Sequence, residues 1–162
     1  MTAANPDTCR QHLSFMKWAD EATLEAVAHH MPESLSGLQH IYLGELVWFR
    51  RVVEGQEDVQ ITQLTAPSDV AGLREAWQDL HRKWMDWASM ADFEAIVPHR
   101  NLAGDSFRMP AWQTVLHLVN HGSYHRGQVA ATLRAAGFAP PATDLIIWYR
   151  TFATAVQQSQ WI

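Results

Sequence analysis

Apolar residues in this chain recur every three or four positions almost from end to end. Cys9, Leu13, Met16, Asp20, Leu24, Val27 and Met31 fall on one helix face. Asp7 or Thr8 can cap that helix, and Pro32 ends it. A second helix follows Ser34 or Ser36 and runs through LQHIYLGELVWFRRVVEG to Gly55; it is apolar on most sides and should be deeply packed. After the connector QEDVQITQLTAP, Ser68 caps a third helix. Its stripe is Val70, Leu73, Trp77, Leu80, Trp84, Trp87 and Ala91. Phe93, Ala95 and Val97 then alternate loosely with Glu94, Ile96 and Pro98, and NLAGD offers turn chemistry, which predicts a short hairpin. Pro110 suits the first position of a fourth helix that stops at Gly137. Pro140 and Pro141 break the chain, and Thr143 caps a short fifth helix, DLIIWYRTFATAV.

Four long helices with polar connections predict an all-α fold, a four-helix bundle forming a single domain over residues 1–162. The connections around the third helix are long enough for crossovers, so the pattern leaves the topology open. At 48% hydrophobic residues the chain can bury a real core. The formal net charge is −5 and the 12 basic residues are scattered, which argues against nucleic-acid binding. The N-terminus has no apolar run after a basic start, and no window approaches a membrane-spanning length, so the expectation is a cytoplasmic protein without a membrane partner. Cys9 is the single cysteine, best read as a small buried hydrophobe.

Nine histidines are a surplus for one small domain. His29, His30 and His99 lie near element ends and read as ordinary residues. LHLVNHGSYHRGQ is different, because it sets His117, His121 and His125 four residues apart on a helix. Residues at that spacing share a face. Two such imidazoles can reach one metal ion from the same side. Three cannot, since they span about 12 Å of helix axis against bonds of about 2 Å. The pair is therefore His117/His121 or His121/His125. Further ligands must come from a facing helix, where His12, His40 and His81 are available; His40 shares a face with Leu43, Gly44 and Val47 and is the one favoured by periodicity. Gly122 and Gly127 inside the helix are consistent with crowding at the ligand turns.

NHGSYHRGQVAATLRAAG resembles the signature helix of the DinB/YfiT-like family, bacterial four-helix bundles with a three-histidine metal site. FMKWADEATLEAV is similar to that family's first helix, LQHIYLGELVWFRRV to its second and PATDLIIWYR to its closing segment. The resemblance implies His40, His121 and His125 as metal ligands, with His117 one turn outside. It also implies an up-down-down-up bundle, a homodimer, and for some relatives a low-molecular-weight thiol cosubstrate.

Three neutral imidazoles would leave open coordination positions, the mark of a catalytic site. The expected ion is Zn, with Ni, Fe or Mn compatible with imidazole. Gln128, on the same face, can hold a ligand histidine's other nitrogen, against its plainer reading as a solvent-facing residue. Tyr124 and Arg126 flank the pair and read first as surface or interhelix packing. Asp20 interrupts an apolar stripe and needs a partner, an arginine or a connector before a ligand histidine. Trp18, Trp48, Trp77 and Trp84 read as core before pocket lining. These residues predict a metal-dependent transferase or hydrolase acting on a small molecule. The competing expectation is a stress-response or binding module whose metal is sensory or structural.

Overall fold

The computed structural model describes residues 5–152. The first helix, α1 (Pro6–His30), is capped by Asn5, whose Oδ1 accepts from the Asp7 amide at 2.9 Å. The cap thus lies ahead of Asp7 and Thr8, because Pro6 at the helix start lacks the amide hydrogen that would go unbonded there. The second helix, α2 (Ser36–Val52), starts without a side-chain cap. A short 3-10 turn, Ile61–Gln63, interrupts the connector. Asp69 rather than Ser68 caps α3 (Val70–Met90), accepting from the Gly72 amide at 2.9 Å.

The hairpin is present but displaced. Strands β1 (Ile96–Arg100) and β2 (Ser106–Pro110) pair antiparallel with Val97 opposite Met109 and His99 opposite Phe107. Of the loosely alternating stretch, Ile96, Val97 and Pro98 lie in β1, whereas residues 93–95 precede the strand and do another job. The carbonyls of Ala95 and Phe93 accept from the amides of Ala111 and Trp112, each at 2.9 Å. These are the otherwise unbonded first amides of α4 (Ala111–Ala135). Pro110 is accordingly the residue before the helix, in extended conformation. Gly137 ends this segment with a positive φ of 87°. The fifth helix, α5, is described over Leu145–Phe152; Asp144, at the start of its expected span, lies just ahead of it, and the expected span beyond Phe152 lies outside the described residues.

The described residues are mostly helical, with one small sheet among them. Helix α1 packs on α3 and α4, and α2 packs on the same two. Buried side chains from all four fill the space between them, among them Leu13, Phe15, Met16, Leu38, Ile41, Leu73, Trp77, Trp84, Leu118 and Leu133. Each such apolar side chain contributes about 1.5–3 kcal/mol when fully buried. The apolar stripes read from the sequence face inward: Cys9, Leu13, Met16, Leu24 and Val27 on α1, and Leu73, Trp77, Leu80 and Trp84 on α3. No described helix is long and apolar enough to cross a membrane.

Candidate metal centre

The contact between α2 and α4 brings three imidazoles together. His121 and His125 lie one turn apart on α4, and His40 projects from α2. One ring nitrogen from each falls within 4.8 Å of the other two. Ring centroids are 4.3 Å apart for His40 and His125, 4.5 Å for His121 and His125, and 5.3 Å for His40 and His121. Gly44 makes the approach possible, because a β-carbon there would stand 2.7 Å from His121 Cε1.

The donor set suits a divalent cation. Burial, then the neighbouring His125, His117 and His40, push His121 down to about 4. Burial, then His125, also lowers His40. Both rings are therefore neutral near pH 7, with a lone pair to donate. Gln128 Oε1 accepts from Nδ1 of His125 at 2.9 Å, which leaves Nε2 as that ring's free donor. Gln128 thus holds a histidine while staying exposed to solvent, so both readings of it apply. Among the described residues no carboxylate, cysteine or fourth histidine joins the group.

His117 lies outside it, its ring centroid 5.8 Å from that of His121 and 5.3 Å from that of Trp48. His12 bonds the Thr8 carbonyl of its own helix at 2.7 Å. His99 is buried between Trp48 and Phe107.

The chain matches the DinB family over residues 4–155. It belongs to the DinB family. It is 26% identical over 115 residues to the protein named DinB of Bacillus subtilis (strain 168), and the match spans 66% of this chain and 66% of that relative's length.

A second polar group lies inside this DinB-family fold, with one residue from each long helix. Asp20 on α1 accepts from Arg126 Nη1 on α4 at 2.6 Å. His81 on α3 sets Nε2 3.2 Å from Glu45 Oε2 and 3.5 Å from Asp20 Oδ2. Trp77 Nε1 donates to the same Glu45 oxygen at 2.9 Å. All four charged residues are nearly inaccessible to solvent. Burial alone would raise Asp20, but the Arg126 guanidinium and then His81 hold it below the usual carboxylate range. Burial and the Asp20 charge push Glu45 up to about 7. Burial disfavours the His81 cation, yet the two acids outweigh it and lift His81 to about 9. Donor atoms of Asp20, Glu45 and His81 also lie within 4.8 Å of one another. Here, however, Arg126 already occupies Asp20 and His81 keeps its proton, so the charges balance from within.

Asp20's need for a partner is legible in the sequence; Arg126, expected as surface or interhelix packing, is that partner, and Glu45 joins the group without being expected there. The signal was the lone acid within LGELVWF, a charge that a deeply packed helix cannot leave unpaired. Gly122 serves this group, because a β-carbon there would stand 2.7 Å from Arg126 Nη1. Gly127 faces open space and has no packing role.

Proposed function

We propose that this chain is a metal-dependent enzyme of the DinB family, in which His40, His121 and His125 hold a divalent cation that acts on a small molecule. The convergence of three imidazole donors from two helices carries the reading. Three neutral protein ligands leave the ion's charge uncompensated and coordination positions open. When bound, the ion would supply Lewis acidity, lowering the pKa of a water or thiol, or polarising a carbonyl. The chain's own residues bind and orient. Gln128 fixes the tautomer of His125, Gly44 admits the His121 ring, and burial keeps both His40 and His121 from protonating. Zn is the first choice, with Ni, Fe or Mn compatible with the donor set. A low-molecular-weight thiol as cosubstrate, and transferase or hydrolase chemistry, come from the family resemblance.

The proposal extends to the assembly. The helices form an up-down-down-up four-helix bundle that works as a cytoplasmic homodimer. Exposed Ile146 and Phe152 on α5 and Tyr124 beside the site support an apolar contact between copies. Light scattering should give twice the 18.4 kDa chain mass; the single mass across a wide concentration range would refute the dimer.

The experiment for the site is metal analysis of purified protein, then a thiol-conjugation and ester-hydrolysis screen with and without the ion. Turnover that needs the metal supports the enzyme. Tight metal binding with no turnover across the screen would favour the sensory or structural module.

A further inference from the structure

His121 belongs to two places at once, the histidine group and the wall of an open cleft of about 480 Å³. That volume lies within the range of small-molecule sites. Helix α2 contributes Trp48 and Arg51, the connector Gln60 and Ile61, and the β1–β2 turn Leu102.

Arg51 is the unusual member. It is only 8% exposed, and among the described residues no carboxylate pairs with it. Buried charges are normally paired. Instead its Nη2 donates to the carbonyls of Val59 and Arg100 at 2.8 and 3.0 Å, and to Gln60 Oε1 at 3.4 Å. The guanidinium lies over the Trp48 ring at 4.8 Å. Those contacts fix its plane but leave its charge uncompensated. Nε is sealed in without a partner, whereas Nη1 makes no hydrogen bond among the described residues and is not sealed from solvent. No acid offsets the charge from the cleft wall, where Arg51 is the only charged lining residue among those described. Two acids of the connector and turn have other partners, Asp58 with Arg100 at 3.0 Å and Asp105 with Asn101 at 3.0 Å. His99 and His117 both pack on Trp48. In a chain of net charge −5, this is a locally basic hollow.

We propose that the cleft binds a small carboxylate bearing an apolar or aromatic group, with Arg51 Nη1 receiving the carboxylate and Trp48, Ile61 and Leu102 covering the apolar part. One free guanidinium nitrogen matches a monoanion; a phosphate would call for a second cation. That this cleft is the substrate pocket rests on the metal-site reading above. The anion subsite itself does not.

The test is binding of phenylacetate, its neutral isostere 2-phenylacetamide and inorganic phosphate to the full chain, followed by calorimetry, with the protein stripped by chelator and with it loaded with Zn. A charge-assisted contact should make phenylacetate bind about tenfold or more tightly than the amide in both forms. Arg51→Gln should reduce that preference to about threefold or less, and Arg51→Lys should retain part of it. Because Arg51 also ties the connector to the hairpin, Ala103→Trp on the exposed turn provides a variant that leaves that tie intact. It should block both ligands. Equal binding of acid and amide, undiminished binding in Ala103→Trp, or tighter binding of phosphate would each overturn the proposal. An acid preference that appears only with Zn would assign the carboxylate to the ion, which sinks the role of Arg51 and leaves the metal reading standing. An acid preference that persists in a His121→Ala chain would uphold the subsite even where the metal reading fails.

Discussion

Gly44 of α2 faces His121 of α4 so closely that a single β-carbon would stand 2.7 Å from the imidazole Cε1. Gly44→Ala therefore sets two effects against each other. Alanine favours the helix by roughly 1 kcal/mol over glycine. The added methyl, however, must turn the His121 ring away from His40 and His125. Zn affinity is expected to drop about tenfold or more, with the helical circular dichroism unchanged. Calorimetric titration with Zn reads this directly, and an unaltered affinity would mean that the ring can move without leaving its partners.

Removing the ring itself separates site from scaffold. His121→Ala is expected to abolish metal binding and keep the fold, since the core is built from apolar side chains such as Leu13, Trp77 and Leu118. The melting temperature of metal-loaded protein should fall toward that of the stripped protein, because an ion bound only by the native state stabilises it by mass action. Loss of both metal and helix would mark the ion as structural. Gln128→Leu should act more gently, weakening metal binding by roughly 10–100-fold through a misoriented His125.

The buried acid–base group predicts how stability varies with pH. His81 is raised from its ordinary 6.5 to about 9 and Glu45 from 4.5 to about 7. Both groups hold their protons more tightly in the folded chain than in the unfolded one. Stability from Glu45 is complete below pH 4.5 and is lost as pH rises through 7; that from His81 is complete below 6.5 and is lost as pH rises through 9. Asp20, lowered from 3.8, works the other way: its contribution is complete above 3.8 and is lost as pH falls through its lower folded value. Below pH 6.5 the gain from Glu45 is opposed by His121, lowered to about 4, and by His40, because the unfolded chain protonates both rings first. Above neutral the loss from His81 dominates, and the chain should lose on the order of 1–3 kcal/mol toward pH 9. Urea denaturation at stepped pH measures this, and the decline above neutral should flatten in His81→Gln.

The Asp20–Arg126 pair should be costly to break and cheap to replace. Arg126→Met leaves a buried carboxylate beside His81 alone, at a cost of roughly 3–5 kcal/mol. The double variant Asp20→Leu, Arg126→Met should recover much of that loss, because no unpaired charge remains. A double variant as unstable as the single one would show that the pair is required for packing rather than for charge balance.

The sequence by itself determined the helices, because burial on a helix is a matter of period. The stripes from Cys9 to Val27 and from Leu73 to Trp84 face inward as their spacing requires. It also determined that His121 and His125 share a face, which follows from the helical turn alone. Caps were legible only to a residue or two. Asn5 and Asp69 took the roles assigned to Asp7 or Thr8 and to Ser68, because the backbone angles at the helix start decide which side chain can reach an amide. The rest depended on which helices meet. Only the α2–α4 contact sets His40 beside the α4 pair, and only the α1–α4 contact sets Arg126 against Asp20, 106 residues away. Glu45 is a lone acid in an apolar helix, and only the packing of α3 supplies Trp77 and His81 around it. Nothing in the spacing of the adjacent Arg50 and Arg51 tells them apart; the tertiary fold buries Arg51 against two carbonyls at the wall of a cleft. Period is written locally, in the spacing of side chains along one segment. Partnership between charges is not, because it is decided by long-range packing that the local pattern does not encode.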